Sequence, residues 1–174
     1  MELQKHATAK GGGVSFFTNL HYNLPMHIRP ATLKDAQAFH EIHTKAVRTT
    51  CKDYYTDEQI SAWLSGRTPE GYDGIAKGEM FTALEADRVI GFGHAIPGEV
   101  VAIYVDPDFH GKGVGSLLLD HALKIASSGH KKVKVISTLN AEGFYKKHGF
   151  TKVKEDVVVR NGVEIGGVEM ERGV

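Results

Sequence analysis

Residues 100–115 read VVAIYVDPDFHGKGVG, and this stretch decides the fold. Its first six residues are apolar and mostly β-branched, which is typical of a buried central strand. After the glycines, apolar residues recur at the three- and four-residue spacing of a helix, at Leu118, Ala122 and Ile125 among others. The sequence therefore predicts a strand, a glycine loop and a helix in succession, at the centre of an α/β protein.

The glycine loop is suited to binding a phosphate or pyrophosphate. Glycines let backbone N–H groups turn toward a ligand, and the N-terminus of the following helix adds a partial positive charge. A glycine-rich turn that only redirects the chain fits the loop equally well, because short glycine motifs are common. ATP and NAD fit poorly. A Walker loop needs Ser or Thr where Gly113 follows Lys112, and a dinucleotide fingerprint needs a third glycine where Leu118 stands.

Further strands and helices are predicted on both sides of this unit. Thr32 and Thr56 each begin a pattern that resembles a capping box, so a helix is predicted after each of them. Asp87-Arg88 and Asn161-Gly162 indicate hairpin turns. The remaining predicted strands are 27–29, 79–86, 89–96, 133–137, 150–159 and 163–170, and a last helix is predicted over 141–148.

Composition limits the class of protein. The 174 residues are enough for one ordinary domain, and the formal net charge of +0 disfavours nucleic acid and an electrostatic membrane anchor as partners. No run approaches the roughly 18 apolar residues that a membrane helix needs. Cys51 is the only cysteine, so an internal disulfide is excluded and a reducing, cytoplasmic location is expected.

The first 25 residues differ from the rest. Residues 10–13 resemble a flexible linker, and Val14-Ser-Phe-Phe17 is a short apolar island that could pack as an added strand. We expect residues 1–25 to be an extension, native or introduced by cloning, and residues 26–174 to form the domain.

Two spaced motifs resemble the GNAT superfamily of acyl-CoA-dependent N-acetyltransferases. The pyrophosphate loop of this superfamily has the pattern Gln/Arg-x-x-Gly-x-Gly/Ala, where x is any residue. Residues 110–115, HGKGVG, have this spacing, with His110 in place of Gln or Arg. Its second signature, an Asn followed by Phe-Tyr and Gly-Phe, resembles residues 140–150, NAEGFYKKHGF. The resemblance covers about Met26 to the carboxyl end. It implies a mixed, mostly antiparallel sheet that is splayed at its centre and flanked by helices.

The resemblance implies an acetyl-CoA site. The strand before the loop would offer backbone groups to the pantetheine arm at Ile103, Tyr104 and Val105. Asn140 and Phe144 would contact the pantetheine region. Lys146 or Lys147 would contact the 3′-phosphate, and we select Lys147 for this role. The pyrophosphate would lie against His110, Gly111, Lys112, Gly113, Val114, Gly115 and Ser116.

Two catalytic roles also follow from the resemblance. Tyr145 matches the tyrosine that protonates the departing CoA thiolate, and a phenol with a pKa near 10 can share a proton with a thiol near 8.5. Glu99 stands eleven positions before His110, the separation of the catalytic glutamate in the histone-acetylating branch of the superfamily. Glu99 could instead be a solvated carboxylate at a strand end, and His94 is the rival base.

The resemblance also implies an acceptor pocket in the segment 51–63, where Tyr54, Tyr55 and Trp63 could line it, although packing of the second helix onto the sheet is the favoured role of Trp63. A metal is not expected, because His40 and His43 lack accompanying ligands. Covalent catalysis by Cys51 is disfavoured, since most members of the superfamily transfer the acyl group directly. The predicted function is acetyl transfer from acetyl-CoA to a primary amine in a ternary complex, with a homodimer possible. The alternatives are a non-catalytic acyl-CoA-binding or sensing module and, less well matched, a phosphotransferase.

Overall fold

The computed structural model describes residues 25–174. The apolar island at residues 14–17 and nearly all of the expected extension lie outside the described residues. The domain boundary at Met26 therefore stays a prediction.

A single seven-stranded sheet forms the centre of the described chain, in the order β1-β2-β3-β4-β5-β7-β6. Every neighbouring pair is antiparallel except β4 and β5, which are parallel. The predicted mixed, mostly antiparallel sheet is thus confirmed. The strands are β1 Met26–Pro30, β2 Met80–Glu85, β3 Arg88–Ile96, β4 Glu99–Val105, β5 Lys132–Thr138, β6 Thr151–Arg160 and β7 Val163–Gly173.

Helices cover both faces of this sheet. On one face the first helix packs against β3 and β4 and the second packs against β7, while the third covers β2, β3 and β4 from the other face. None of the helices in the described range is long and apolar enough to span a bilayer. The helices are α1 Ala36–Thr50, α2 Asp57–Leu64, α3 Val114–Ala126 and α4 Glu142–Lys147.

Strands β4 and β5 are paired over only two residues each and then separate. Glu99 is paired with Lys134 and Val100 with Val135, and no later residue of β4 is paired with β5. The register of β4 against β3 also shifts at this point, which leaves Val101 as an extra residue. A bulge of this kind bends the strand that carries it, so β4 turns away from β5 beyond Val101.

The end of β4 is anchored by a buried carboxylate. Asp106, which is 5% exposed, accepts a hydrogen bond from the ammonium of Lys45 on α1 at 2.6 Å. It also accepts one from the guanidinium of Arg88 on β3 at 2.8 Å. Its side chain accepts the backbone N–H of Asp108 as well, which fixes the tight turn that leads into the glycine loop. One carboxylate therefore ties α1 and β3 to the segment between β4 and α3.

One of the two predicted hairpin turns is confirmed, and the other lies one residue earlier than predicted. Asn161 and Gly162 both have positive φ, 51° and 78°, as the predicted turn requires, and they join β6 to β7. The other turn is Ala86-Asp87 instead of Asp87-Arg88, because Arg88 is already paired with Glu85 as the first residue of β3. The register of this hairpin also shifts between Ala83 and Leu84, close to the turn.

An aromatic cluster fills the space between α1 and the sheet. The ring of Phe39 stacks on Phe92 at 4.3 Å between centroids, and the imidazole of His43 stacks on Tyr104 at 4.1 Å. His43 is 3% exposed and its Nδ1 lies 3.2 Å from the hydroxyl of Tyr72. Burial, helped by the positive charge of Arg67, lowers the pKa of His43 to about 3, so the ring is neutral near pH 7.

This buried neutral histidine predicts a loss of stability in mild acid. The unfolded chain protonates His43 near pH 6.5 and the folded chain does so only near pH 3. The contribution of neutral His43 to the free energy of unfolding is therefore fully present above about pH 6.5. It decreases as the pH falls below that value, by about 2 kcal/mol between pH 7 and pH 5. Urea unfolding at the two pH values measures the loss, and His43→Phe, which keeps an aromatic ring, should show a correspondingly smaller one. An equal loss in the variant would assign the effect to other groups.

Candidate active site

A cavity of about 740 Å³ lies where β4 and β5 separate. Its walls come from the last five residues of β4, the last three of β5, the glycine loop, and the carboxyl end of α1 with the residues that follow it. The residues predicted from the sequence that line it are Tyr54, Trp63, Ile103, Tyr104, Val105, His110, Gly111, Gly113, Val114, Gly115, Ser116, Asn140, Phe144 and Tyr145. The structure thus brings fourteen predicted residues, from five separate segments, around one space.

The glycine loop forms one wall of this cavity in the conformation that only glycine adopts easily. Gly111 and Gly113 have φ of 75° and 85°, and Gly113 is the residue directly before α3. The first turn of α3 therefore presents unpaired backbone N–H groups beside the loop. This is a physical basis for binding an anion such as a pyrophosphate.

Ser116, on the first turn of α3, is held by a histidine. Nδ1 of His148 lies 2.9 Å from the carbonyl oxygen of Phe144, which can only accept, so Nδ1 carries the proton. Nε2 of the same ring lies 3.0 Å from the hydroxyl oxygen of Ser116, at hydrogen-bond distance. No sequence pattern predicts this role for His148, whose contact connects α3 to the end of α4.

Tyr145 lies on α4 with its side chain in the cavity wall and only 5% of its surface exposed. Burial raises the pKa of the phenol well above its usual value of about 10, so the hydroxyl stays protonated throughout the physiological range. The adjacent Phe144 packs on the loop: a Cβ placed on Gly115 would lie 3.3 Å from the Phe144 ring. Phe144 thus holds α4, and with it Tyr145, against the start of α3.

Asn140 lies opposite, beside the residues that follow α1. Its Oδ1 accepts from the thiol of Cys51 at 3.4 Å, and its Nδ2 donates to the hydroxyl of Thr50 at 3.4 Å. Burial raises the pKa of the Cys51 thiol, so the sulfur is kept in its less nucleophilic form. The contact gives Cys51 a packing and positioning role in the wall of the cavity.

Five predicted site residues lie outside the lining of this cavity. Both base candidates contact other side chains: Glu99 forms an ion pair with Lys134 at 3.2 Å, and Nε2 of His94 lies 3.0 Å from Oε2 of Glu79. Lys112 instead places its ammonium 4.5 Å from the ring centre of Phe109. The other two are Lys147, which is exposed on α4, and Tyr55.

Tyr55 was expected to line the acceptor pocket, and the structure places it in the packing between elements instead. Its hydroxyl donates to the carbonyl oxygen of Gly166 on β7 and accepts from the backbone N–H of Leu139, both at 2.8 Å. With 5% of its surface exposed, the side chain joins the end of β5 to β7. It is a structural residue because both hydrogen-bonding capacities of its hydroxyl are taken up by backbone groups.

Some cavity residues could not be identified from the sequence. Ala46, Val47 and Thr50 on α1 are small or apolar and carry no chemical signature, and Ser137 and Thr138 sit at the end of an ordinary strand. Their place in the site depends on how α1 and β5 pack. Among residues 25–174, no three His, Cys, Asp or Glu side chains are grouped to hold a metal ion.

A family model described as "Acetyltransferase (GNAT) domain" matches residues 51–172. An uncharacterized N-acetyltransferase of Escherichia coli (strain K12), YafP, is 29% identical over 128 residues, which are 74% of this chain and 83% of that protein. The segment that the family model matches contains the glycine loop, Asn140 and Tyr145.

Solved structures resemble the fold over most of both chains. A GCN5-related N-acetyltransferase from Rhodopseudomonas palustris gives a TM-score of 0.74 at 25% identity, covering 85% of this chain and 95% of that one. The PaiA N-acetyltransferase of Thermoplasma acidophilum, solved in complex with coenzyme A, gives a TM-score of 0.69 at 22% identity. The match covers 86% of this chain and 99% of that one. The family model, which matches more than half of the chain, shows that the chain belongs to the GNAT acetyltransferase family and is an acetyltransferase.

Proposed function

We propose that this protein transfers an acetyl group from acetyl-CoA to a primary amine by direct attack within a ternary complex. The observation that carries the proposal is the shared cavity, where a glycine loop at a helix N-terminus and a buried, protonated tyrosine face the gap between β4 and β5. The coenzyme A in the Thermoplasma acidophilum relative supports the choice of acyl donor.

The residues of the cavity fit coenzyme A in chemical type. Backbone N–H groups around Gly111, Gly113 and Ser116 would bind the pyrophosphate, and the donor supplies an activated thioester. Backbone groups of β4 beyond Val101 have no partner on β5, so they are available to the amide groups of the pantetheine arm. An N–H near Val105 would polarise the thioester carbonyl. Lys147 is the proposed contact of the 3′-phosphate.

Tyr145 is the proposed general acid. Its hydroxyl keeps its proton at neutral pH because the side chain is buried. It lies in the cavity next to Phe144, which packs on the start of α3. As the C–S bond breaks, the phenol would donate its proton to the sulfur.

Glu99 is the proposed base and acts through water. It lies on β4 two residues before Val101, at the closed end of the gap, and its carboxylate is paired with Lys134 instead of facing the cavity. A direct contact with the amine is therefore not proposed. A chain of water along the gap would carry the proton from the ammonium to this carboxylate.

Titration calorimetry should detect binding of acetyl-CoA and no binding of ATP or NADH. Gly113→Ala should weaken this binding about tenfold, because an alanine at a φ of 85° costs about 1–2 kcal/mol and the loop must change shape to avoid it. Gly173→Ala, where φ is ordinary and a Cβ meets open space, is the matched control. Binding of ATP in place of acetyl-CoA would contradict the proposal and favour the alternative hypothesis of a phosphotransferase.

Tyr145→Phe should separate an enzyme from an acyl-CoA sensor. The variant keeps the ring and loses the proton that the leaving sulfur needs. Release of free thiol, followed with a chromogenic disulfide, should fall by about 10²-fold while acetyl-CoA affinity stays unchanged. A wild-type protein that binds acetyl-CoA and releases no thiol with any amine would favour the sensing module.

Glu99→Gln tests the base. We expect kcat to fall by about 10²-fold, since an amide cannot take the proton that the amine releases. His94→Gln, at the rival position, should leave kcat within about twofold. An unchanged kcat in Glu99→Gln would mean that the amine loses its proton directly to solvent.

A further inference from the structure

A second cavity of about 270 Å³ adjoins the first, and Trp63 lines both. It lies between the segment that follows α2 and the tip of the β6–β7 hairpin. Its other lining residues are Ser65, Gly66, Arg67, Thr68, Gly71, Tyr72 and Arg160. The lining thus holds two arginines and no carboxylate.

Arg67 is fixed in place by the backbone. Its Nε donates to the carbonyl oxygen of Trp63 at 3.0 Å, which leaves the two terminal nitrogens of the guanidinium for another partner. The side chain is half-buried. Burial raises the pKa of Tyr72 to about 12 and the charge of Arg67 opposes that rise; the same charge acts on Tyr104 in the first cavity. The guanidinium therefore lies within electrostatic range of both cavities.

Arg160 lines the second cavity from the end of β6. It is the last residue of that strand, is paired with Val163 next to the two-residue turn, and is exposed. The arginine ion pairs within residues 25–174 are those of Arg29 with Asp35 and of Arg88 with Asp106 and Asp108. Two guanidinium groups thus face a small cavity whose lining provides no negative charge.

We propose that this cavity binds a carboxylate of the acceptor, so that the acceptor is a small molecule with both a primary amine and a carboxylate, such as a free amino acid. The inference rests on the proposed function. Guanidinium groups bind carboxylates through paired, charge-assisted hydrogen bonds. The volume of about 270 Å³ is below the roughly 300–1,000 Å³ of pockets for drug-sized ligands, which suits a molecule of this size.

The two cavities then divide the acceptor between them. The carboxylate lies against Arg67 and Arg160, and the amine points past Trp63 toward the gap between β4 and β5. In the transfer, the amine nitrogen forms a bond to the acetyl carbon and the C–S bond breaks with its electron pair on sulfur. Before the attack, the ammonium gives one proton through water to Glu99. The thiolate takes a proton from Tyr145, and the second proton that the nitrogen loses as the amide forms returns the tyrosinate to the phenol.

The test is a set of acceptor pairs that differ only in the carboxylate. The twenty free L-amino acids and their carboxamides are assayed by thiol release and by mass of the product, with a lysine-containing peptide blocked at both ends as a third arm. We expect at least one amino acid to exceed its amide in kcat/KM by about tenfold or more. A blocked peptide or an amide that matches or exceeds the best free amino acid overturns the proposal.

Variants of the two arginines assign the effect to this cavity. Arg67→Gln and Arg160→Gln should each raise KM for the amino acid by about tenfold and leave the amide within about twofold, and Arg67→Lys should retain part of the preference. Arg48→Gln, on the exposed side of α1 and outside both cavities, is the matched control. Equal losses for the amino acid and its amide would overturn the proposal.

Acetyl-CoA binding distinguishes the two possible failures. Unchanged calorimetric affinity for acetyl-CoA in the arginine variants shows that they are folded and that the donor site is intact. A wild-type protein that does not bind acetyl-CoA contradicts the proposed function itself. A protein that binds acetyl-CoA and acetylates amines regardless of a carboxylate contradicts only the inference about the acceptor.

Discussion

The separation of β4 from β5 after two paired residues is the constraint on which the site depends. A parallel pair that continued to Val105 would satisfy the backbone of both strands and close the cavity. The extra residue at Val101 bends β4 away, and the cavity then opens between strands that are held apart by their other neighbours, β3 and β7. The backbone groups left without a partner are at once a cost to folding and the means of holding an extended ligand.

Three side-chain contacts that take no part in the proposed chemical steps hold the elements around this gap in place. Asp106 ties the end of β4 to α1 and β3, Phe144 packs α4 on Gly115, and the hydroxyl of Tyr55 joins β7 to the end of β5. Asp106 and Tyr55 are buried, and Phe144 is half-buried. The two walls of the cavity are therefore set by packing on opposite sides of the sheet, and a ligand need not assemble them.

The features that are determined by residues close together in the sequence could be predicted. The strand–loop–helix unit, both capped helices and the Asn161-Gly162 turn all follow from spacing within a few residues, and the two motifs located the cavity. Long-range packing decides the rest. Tyr55 was expected at the pocket because its segment resembles the one that forms the acceptor pocket in the superfamily, and only the structure shows its hydroxyl between two backbone groups. Arg67 and Arg160 lie more than 90 positions apart, and no local pattern relates them. Glu99 keeps its motif position while its carboxylate turns to Lys134.

Trp63 forms part of both cavities, and it is the only tryptophan among the 174 residues. Its indole is thus the sole source of tryptophan fluorescence in the protein, and it sits where a donor and an acceptor would approach one another. A ligand in either cavity changes the polarity or the quenching around one and the same emitter. The protein therefore contains its own optical probe, through which the order of arrival of the two substrates can be followed by stopped flow without a label.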